Sequence, residues 1–116
     1  MIVRIKRNKH FCGSLIPYVI VVNYDVKKFK EMINDNKSNK QNLRSLKYYF
    51  IKNGETVEVF DENIKSIFVC SNIESINRNI YPLVCSNQIE VTGNMNLTIN
   101  TKFHWKNNEL TLNETK

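Results

Sequence analysis

The sequence predicts a mainly β protein, an antiparallel sandwich of seven to eight strands with one short helical insertion at about residues 25–34. Three observations carry that expectation. The 116 residues include no alanine, the best helix former. They include 13 Ile, 10 Val and 6 Thr, a quarter of the chain, and these β-branched side chains lose χ1 freedom in helices but pack well on pleated sheets. Short apolar runs also recur at close spacing between turn residues, the immunoglobulin-like pattern. A partly open barrel is the nearest competing architecture. With 41% hydrophobic and 24% charged residues, the chain can bury one core as a single domain over 1–116, and wholesale disorder is excluded.

Each element has its own signal. Val3 and Ile5 alternate with Arg4 and Lys6, a half-buried first strand. Residues 8–16 read as an irregular connection around Cys12-Gly13-Ser14. Pro17 then opens Tyr18-Val19-Ile20-Val21-Val22, a run short and β-branched enough to be a central strand, and proline at its start costs no interior ladder bond. The period changes next. Val26, Phe29, Met32 and Ile33 share one helix face, Lys27, Lys28, Lys30 and Glu31 the other, and Asp25 stands at the N-cap. Residues 34–42 contain no apolar side chain and read as an exposed polar loop.

Leu46 to Ile51 is the following strand. Asn53-Gly54 predicts a type I′ hairpin turn into Glu55–Phe60, where Val57 and Val59 alternate with Thr56, Glu58 and Phe60. Asp61-Glu62-Asn63 is a further tight turn and Ile64–Cys70 a further strand. After an irregular stretch over 71–84, Gln88–Thr92 and Met95–Trp105 read as a second hairpin about Gly93-Asn94. Met95, Leu97, Ile99, Thr101 and Phe103 lie on one face of its long arm, and residues 106–109 turn the chain into Leu110–Leu112.

No catalytic constellation stands out, and the sequence predicts neither an enzyme nor a cofactor site. Gly13, Gly54 and Gly93, the chain's only glycines, are too scattered for a phosphate loop. The adjacent carboxylates Asp61 and Glu62 are ordinary turn residues. His10, Cys12, Cys70, Cys85 and His104 could supply zinc ligands by type, but no Cys-x-x-Cys or His-x-x-x-His spacing joins them. They read as dispersed core thiols and satisfied or surface histidines, so no metal is expected. Cys12 and His10 are the only sequence-local thiol–imidazole pair, in a connection that does not fix their geometry. Cys70-Ser71-Asn72 and Cys85-Ser86-Asn87 echo one another, which chance or two strands meeting equivalent turns would explain.

An odd count of three cysteines argues against a secreted disulfide scaffold. The basic residues Arg4, Lys6, Arg7 and Lys9 before the Leu15–Val22 run give only a superficial signal peptide, because Pro17 and Tyr18 interrupt it and no small-residue cleavage site follows. The run is also shorter than the roughly 18 residues a spanning helix needs. The cytoplasm is the expected compartment.

Net charge is +6, and residues 1–52 hold 12 Lys/Arg against 3 Asp/Glu, whereas 53–116 hold 5 against 8. Such a split can steer anionic partners. Lys47-Tyr48-Tyr49-Phe50-Ile51-Lys52 and Lys102-Phe103-His104-Trp105-Lys106 interleave basic and aromatic residues, as grooves for single-stranded nucleic acid do. The candidate contacts to nucleic acid or an anionic surface are Arg4, Lys6, Lys28, Lys47, Tyr49, Lys52, Lys102 and Trp105. Half-buried strands with gatekeeping lysines at their ends account for the same runs. The leading expectation is a non-enzymatic binding or accessory module for a protein partner, docked by edge-strand pairing or on the helical insertion.

Arg7 and the run His10-Phe11-Cys12-Gly13-Ser14-Leu15-Ile16-Pro17-Tyr18-Val19-Ile20-Val21-Val22-Asn23, with the later Asn53-Gly54-Glu55, resemble small bacterial β-sandwich domains of unknown function that are distantly PEGA-like. The likeness covers residues 3–23 and 50–70. The chain departs from that pattern by inserting a helix and an Asn/Lys-rich loop after Asn23, and by having Asp61-Glu62-Asn63 in place of a Pro-Gly turn. The resemblance implies a sandwich and an accessory role, with no catalytic residues to transfer.

Overall fold

In the computed structural model the chain runs β1 (Ile2–Arg7), β2 (Tyr18–Val22), α1 (Val26–Asn34), β3 (Lys47–Ile51), β4 (Thr56–Phe60), β5 (Ser66–Cys70), β6 (Ile89–Glu90), β7 (Met95–Phe103) and β8 (Asn108–Glu114). The structure describes residues 1–9, 17–34, 46–71, 84–103 and 108–115, with 32–34, 103 and 108 described by backbone alone. The expected loop at 34–42 lies outside these residues but for Asn34, and so does most of the 8–16 connection.

Two four-stranded sheets form the sandwich, ordered β4-β1-β7-β8 and β3-β2-β5-β6. Period-two alternation builds the space between them. Val3, Ile5, Val59, Leu97, Ile99, Leu110 and Leu112 enter from the first sheet; Tyr18, Ile20, Val22, Ile51, Ile67 and Val69 enter from the second. The sequence predicts an antiparallel sandwich throughout, yet β1 pairs with β7 in parallel, Val3 opposite Met95 and Arg7 opposite Ile99. These strands are far apart in the chain, so no tight turn constrains their direction.

β2 is buried on both faces, which is why it reads as a continuous apolar run. Its outward residues Val19 and Val21 join Phe68 and Cys70 of β5 in a second cluster, closed by Phe29 of α1 and by Leu46. The helix is therefore a cover for the outer face of the second sheet, not a free appendage. Asp25 caps it as expected: its Oδ1 accepts from the N–H groups of Lys27 at 2.9 Å and Lys28 at 3.0 Å.

Two expected hairpins are corrected. β3 and β4 belong to different sheets, and so do β6 and β7; the turns at Asn53-Gly54 and Gly93-Asn94 carry the chain across the sandwich. Gly54 has φ +78°, but Asn53 is not left-handed, and Glu55 N–H donates to the Lys52 carbonyl at 3.0 Å. That is the type II pattern, which does not require the double left-handed step of a type I′ hairpin. Alternation identifies the inward side chains, but an inward strand reads the same from either sheet. The one tight hairpin among these pairs joins β7 and β8, whose ladder runs from Leu97 opposite Glu114 to Phe103 opposite Asn108. Asn108 and Glu109, expected in the turn, are thus ladder residues.

Asn23 ends β2 with φ 58°, a conformation asparagine tolerates better than most residues. Its Oδ1 accepts from Lys65 N–H at 2.6 Å, and its Nδ2 donates to the Asn63 carbonyl at 2.7 Å. This side chain ties the start of the helical insertion to the approach to β5.

Candidate functional site

Of the eight residues singled out for an anionic partner, the seven that the structure describes do not share a surface. Arg4 and Lys6 lie on the outer face of the first sheet, with Lys102 on the same face of β7. Arg4 is neutralised there: its Nη2 lies 2.8 Å from Glu58 Oε1, which also accepts from Arg4 Nε at 3.0 Å. Lys102 stands directly opposite Glu109 across the β7–β8 ladder. Lys28 projects from the exposed side of α1, beyond the second sheet.

Lys47 pairs with Asp61 at the end of the sandwich where β4 leaves the first sheet. That hydrogen bond raises the Lys47 pKa and, with the Asn63 N–H, lowers that of Asp61. Lys52 is exposed in the β3–β4 turn, and Trp105 lies outside the described residues. Tyr49 requires a correction as a stacking platform. It stands opposite Ile20 on the inward face of β3 and packs half-buried against the main core.

The same register sends Tyr48 and Phe50 outward, opposite Val21 and Val19. Their rings meet edge to face at 5.6 Å and remain 40% and 48% exposed. Phe60, at the end of β4, is 62% exposed and faces Ile2, itself 38% exposed. β3 and β4 are the last strands of their sheets on the same side of the sandwich, joined by the Lys52–Glu55 turn and by the Lys47–Asp61 pair. Among the described residues no strand pairs with the outer edge of either. A hollow of about 230 Å³ lined by Ile2, Arg4, Asn94, Met95 and Asn96 adjoins the Phe60 end. Alternation in the sequence sets Phe60 on the face away from Val57 and Val59, whereas it assigns Tyr48 and Phe50 to a strand without a face.

At the opposite end of the core sits an internal cation. Arg7 follows Val3 and Ile5 on the inward face of β1 and is fully buried. Its guanidinium stacks 3.4 Å from the centre of the Tyr18 ring, and Nη1 donates to the Ile51 carbonyl at 3.0 Å. Burial pushes its pKa down, and the Tyr18 side chain opposes that shift. Tyr18 Oη and Thr101 Oγ1 form a 2.8 Å hydrogen bond, so β1, β2, β3 and β7 are linked through this one cluster. Packing against a ring and a carbonyl makes Arg7 a bolt between the sheets.

Among the described residues no group of three or more His, Cys, Asp or Glu side chains converges to hold a metal ion, and no helix is long and apolar enough to cross a membrane. His10, Cys12 and His104 of the considered zinc set lie outside the described residues. Cys70 and Cys85 face each other across an antiparallel bridge. The Cys-Ser echo is explained by that pairing. Ser71 N–H donates to the Val84 carbonyl and Ser86 N–H to the Val69 carbonyl, while Ser71 Oγ and Ser86 Oγ accept from Val84 and Val69 N–H. The two segments are the two halves of one locally symmetric joint.

Fold and surface together define a β-sandwich domain with a helix-covered outer face and an exposed aromatic side. No family model matches the chain, and no curated protein matches it. Among solved structures it is similar to the crystal structure of the T6SS lipoprotein TssJ1 from Pseudomonas aeruginosa, at 12% identity and a TM-score of 0.45, over 99% of this chain and 95% of that one.

Proposed function

We propose that this chain is a non-enzymatic binding or accessory module that takes a protein partner along the side where β3 and β4 end the two sheets. The observation that supports this reading is the exposed rings flanking the edge that the two sheets share, Tyr48 and Phe50 on the outer face of β3 and Phe60 on the opposite outer face, that of β4, on strands that carry no further strand among the described residues. Aromatic side chains held on rigid strands lose little entropy on burial and dominate the energetics of protein interfaces. An extended partner segment adds main-chain hydrogen bonds along an edge strand, and alternate side chains of that segment reach the aromatic rings. A nucleic-acid or anionic-surface partner has less support, since Arg4 is committed to Glu58 and Lys47 to Asp61.

Once a partner has been co-purified and identified, its affinity for the purified chain is the readout. Phe50→Ser and Phe60→Ser are each expected to weaken binding by about tenfold or more, the effect of losing a central aromatic contact. Both sites are exposed in the free chain, so the far-ultraviolet circular dichroism of each variant should match the wild type. Unchanged affinity in both variants removes the β3–β4 side as the docking surface.

A further inference from the structure

We propose that Cys70 and Cys85 form a redox modification site, a thiol pair that closes into a cross-strand disulfide by exchange with a low-molecular-weight disulfide. The backbone carries the proposal. The two residues are direct partners in an antiparallel bridge, and the hydrogen bonds flanking them run from Ser71 N–H to the Val84 carbonyl at 2.8 Å and from Ser86 N–H to the Val69 carbonyl at 2.7 Å. Bonds placed on the neighbours rather than on the pair itself define the non-hydrogen-bonded position, where Cα atoms stand about 4.5 Å apart and side chains are closest. That separation falls within the roughly 4.4–6.8 Å range of disulfides. The serine hydroxyls brace the register from both sides, accepting from Val69 N–H at 2.9 Å and Val84 N–H at 3.1 Å.

The two thiols are chemically unequal in a way that assigns their roles. Cys70 is fully buried, whereas Cys85 is partly exposed. The proximity of the two sulfurs raises the Cys70 pKa and lowers that of Cys85; burial raises Cys70 further and opposes the shift at Cys85, where the Lys30 ammonium of α1 adds to the lowering. Cys85 is therefore the entry thiolate and Cys70 the resolving thiol. In the first step the Cys85 thiolate attacks one sulfur of an external disulfide RSSR, forming Cys85–S–S–R and releasing one thiolate RS⁻. Cys70 then gives up its proton and attacks the Cys85 sulfur, releasing the second RS⁻. In sum two protein thiols are oxidised to one disulfide, RSSR is reduced to two RSH, and both protons end on the released thiols. The product closes a covalent ring through residues 71–84 and staples β5 to the segment leading into β6.

Oxidised glutathione is the probe, applied to the folded chain carrying Cys12→Ser so that only this pair remains, and in parallel to the wild type read by peptide mapping. After denaturing alkylation, both thiols should be lost and a single Cys70–Cys85 linked peptide recovered, from monomeric protein. Cys70→Ser should stop the reaction at a stable glutathione adduct on Cys85, while Cys85→Ser should leave Cys70 as a free thiol. The proposal is overturned if both thiols persist in folded protein, or if a glutathione adduct accumulates on Cys85 with Cys70 intact.

Discussion

Phe29→Ala is expected to destabilise the fold by about 3–5 kcal/mol, the usual cost of truncating a fully buried aromatic side chain. Phe29 is the residue through which α1 holds the outer face of the second sheet. Its ring is fully buried, meeting Phe68 edge to face at 5.2 Å and Tyr24 at 6.4 Å, within a cluster that includes Val19, Val21, Leu46 and Cys70. Alanine leaves those side chains around a void that close packing does not refill. Against a typical total of roughly 5–15 kcal/mol, that loss is a large share of the stability. Phe29→Leu should retain more than half of it, because an apolar side chain still fills the space. Urea titration followed by circular dichroism reads both values. A loss under about 1 kcal/mol for the alanine variant would mean that the helix is not what shields β2.

Arg7→Ala should cost a similar amount, about 3–4 kcal/mol, for a different reason. It removes the donor to the Ile51 carbonyl and the plate stacked on Tyr18, and it opens a cavity between the sheets. A buried carbonyl left without its donor costs about 1–3 kcal/mol, and lost packing supplies the remainder. Arg7→Met separates the two contributions. Methionine keeps the length and apolar bulk while removing a charge whose burial is itself unfavourable, so this variant should lose only about 1–2 kcal/mol. Arg7→Lys should be worse than methionine, since an ammonium is a hydrated point charge that cannot lie flat on the ring. Equal stability of Arg7→Ala and the wild type would show that Arg7 does not bolt the sheets together.

Much of the architecture was legible in local patterns, for identifiable reasons. Val3, Ile5, Val57, Val59, Leu97 and Ile99 alternate because one face of each strand is buried. The helix announced itself by Val26, Phe29 and the Asp25 cap. Sheet membership was not legible, because a strand with one apolar face packs equally well from either layer. For that reason Asn53-Gly54 passed for a hairpin although it bridges the two sheets. The double burial of β2 implied a second cover without naming it, and only tertiary structure puts α1 there.

The candidate surface was half legible. Parity sets Arg7 beside Val3 and Ile5 on the inward face, but in Leu46-Lys47-Tyr48-Tyr49-Phe50-Ile51 both parities carry apolar side chains, so only the structure turns Tyr49 inward and Tyr48 and Phe50 outward. The dispersal of the basic residues was beyond sequence, since it depends on β1 and α1 lying on opposite sides of the molecule. The meeting of Cys70 with Cys85 was hinted at by the Cys-Ser echo, but a repeat in sequence does not say that its two copies pair.

The binding surface is tested most directly by photo-crosslinking in living cells, with p-benzoylphenylalanine placed singly at Phe50, Phe60, Lys28 or Lys102. The β3–β4 side should capture one and the same polypeptide from Phe50 and from Phe60, and the probes at Lys28 and Lys102 should not capture it. Capture of a polypeptide from Lys28 or Lys102, with none from Phe50 or Phe60, would contradict the assignment of that side as the docking surface.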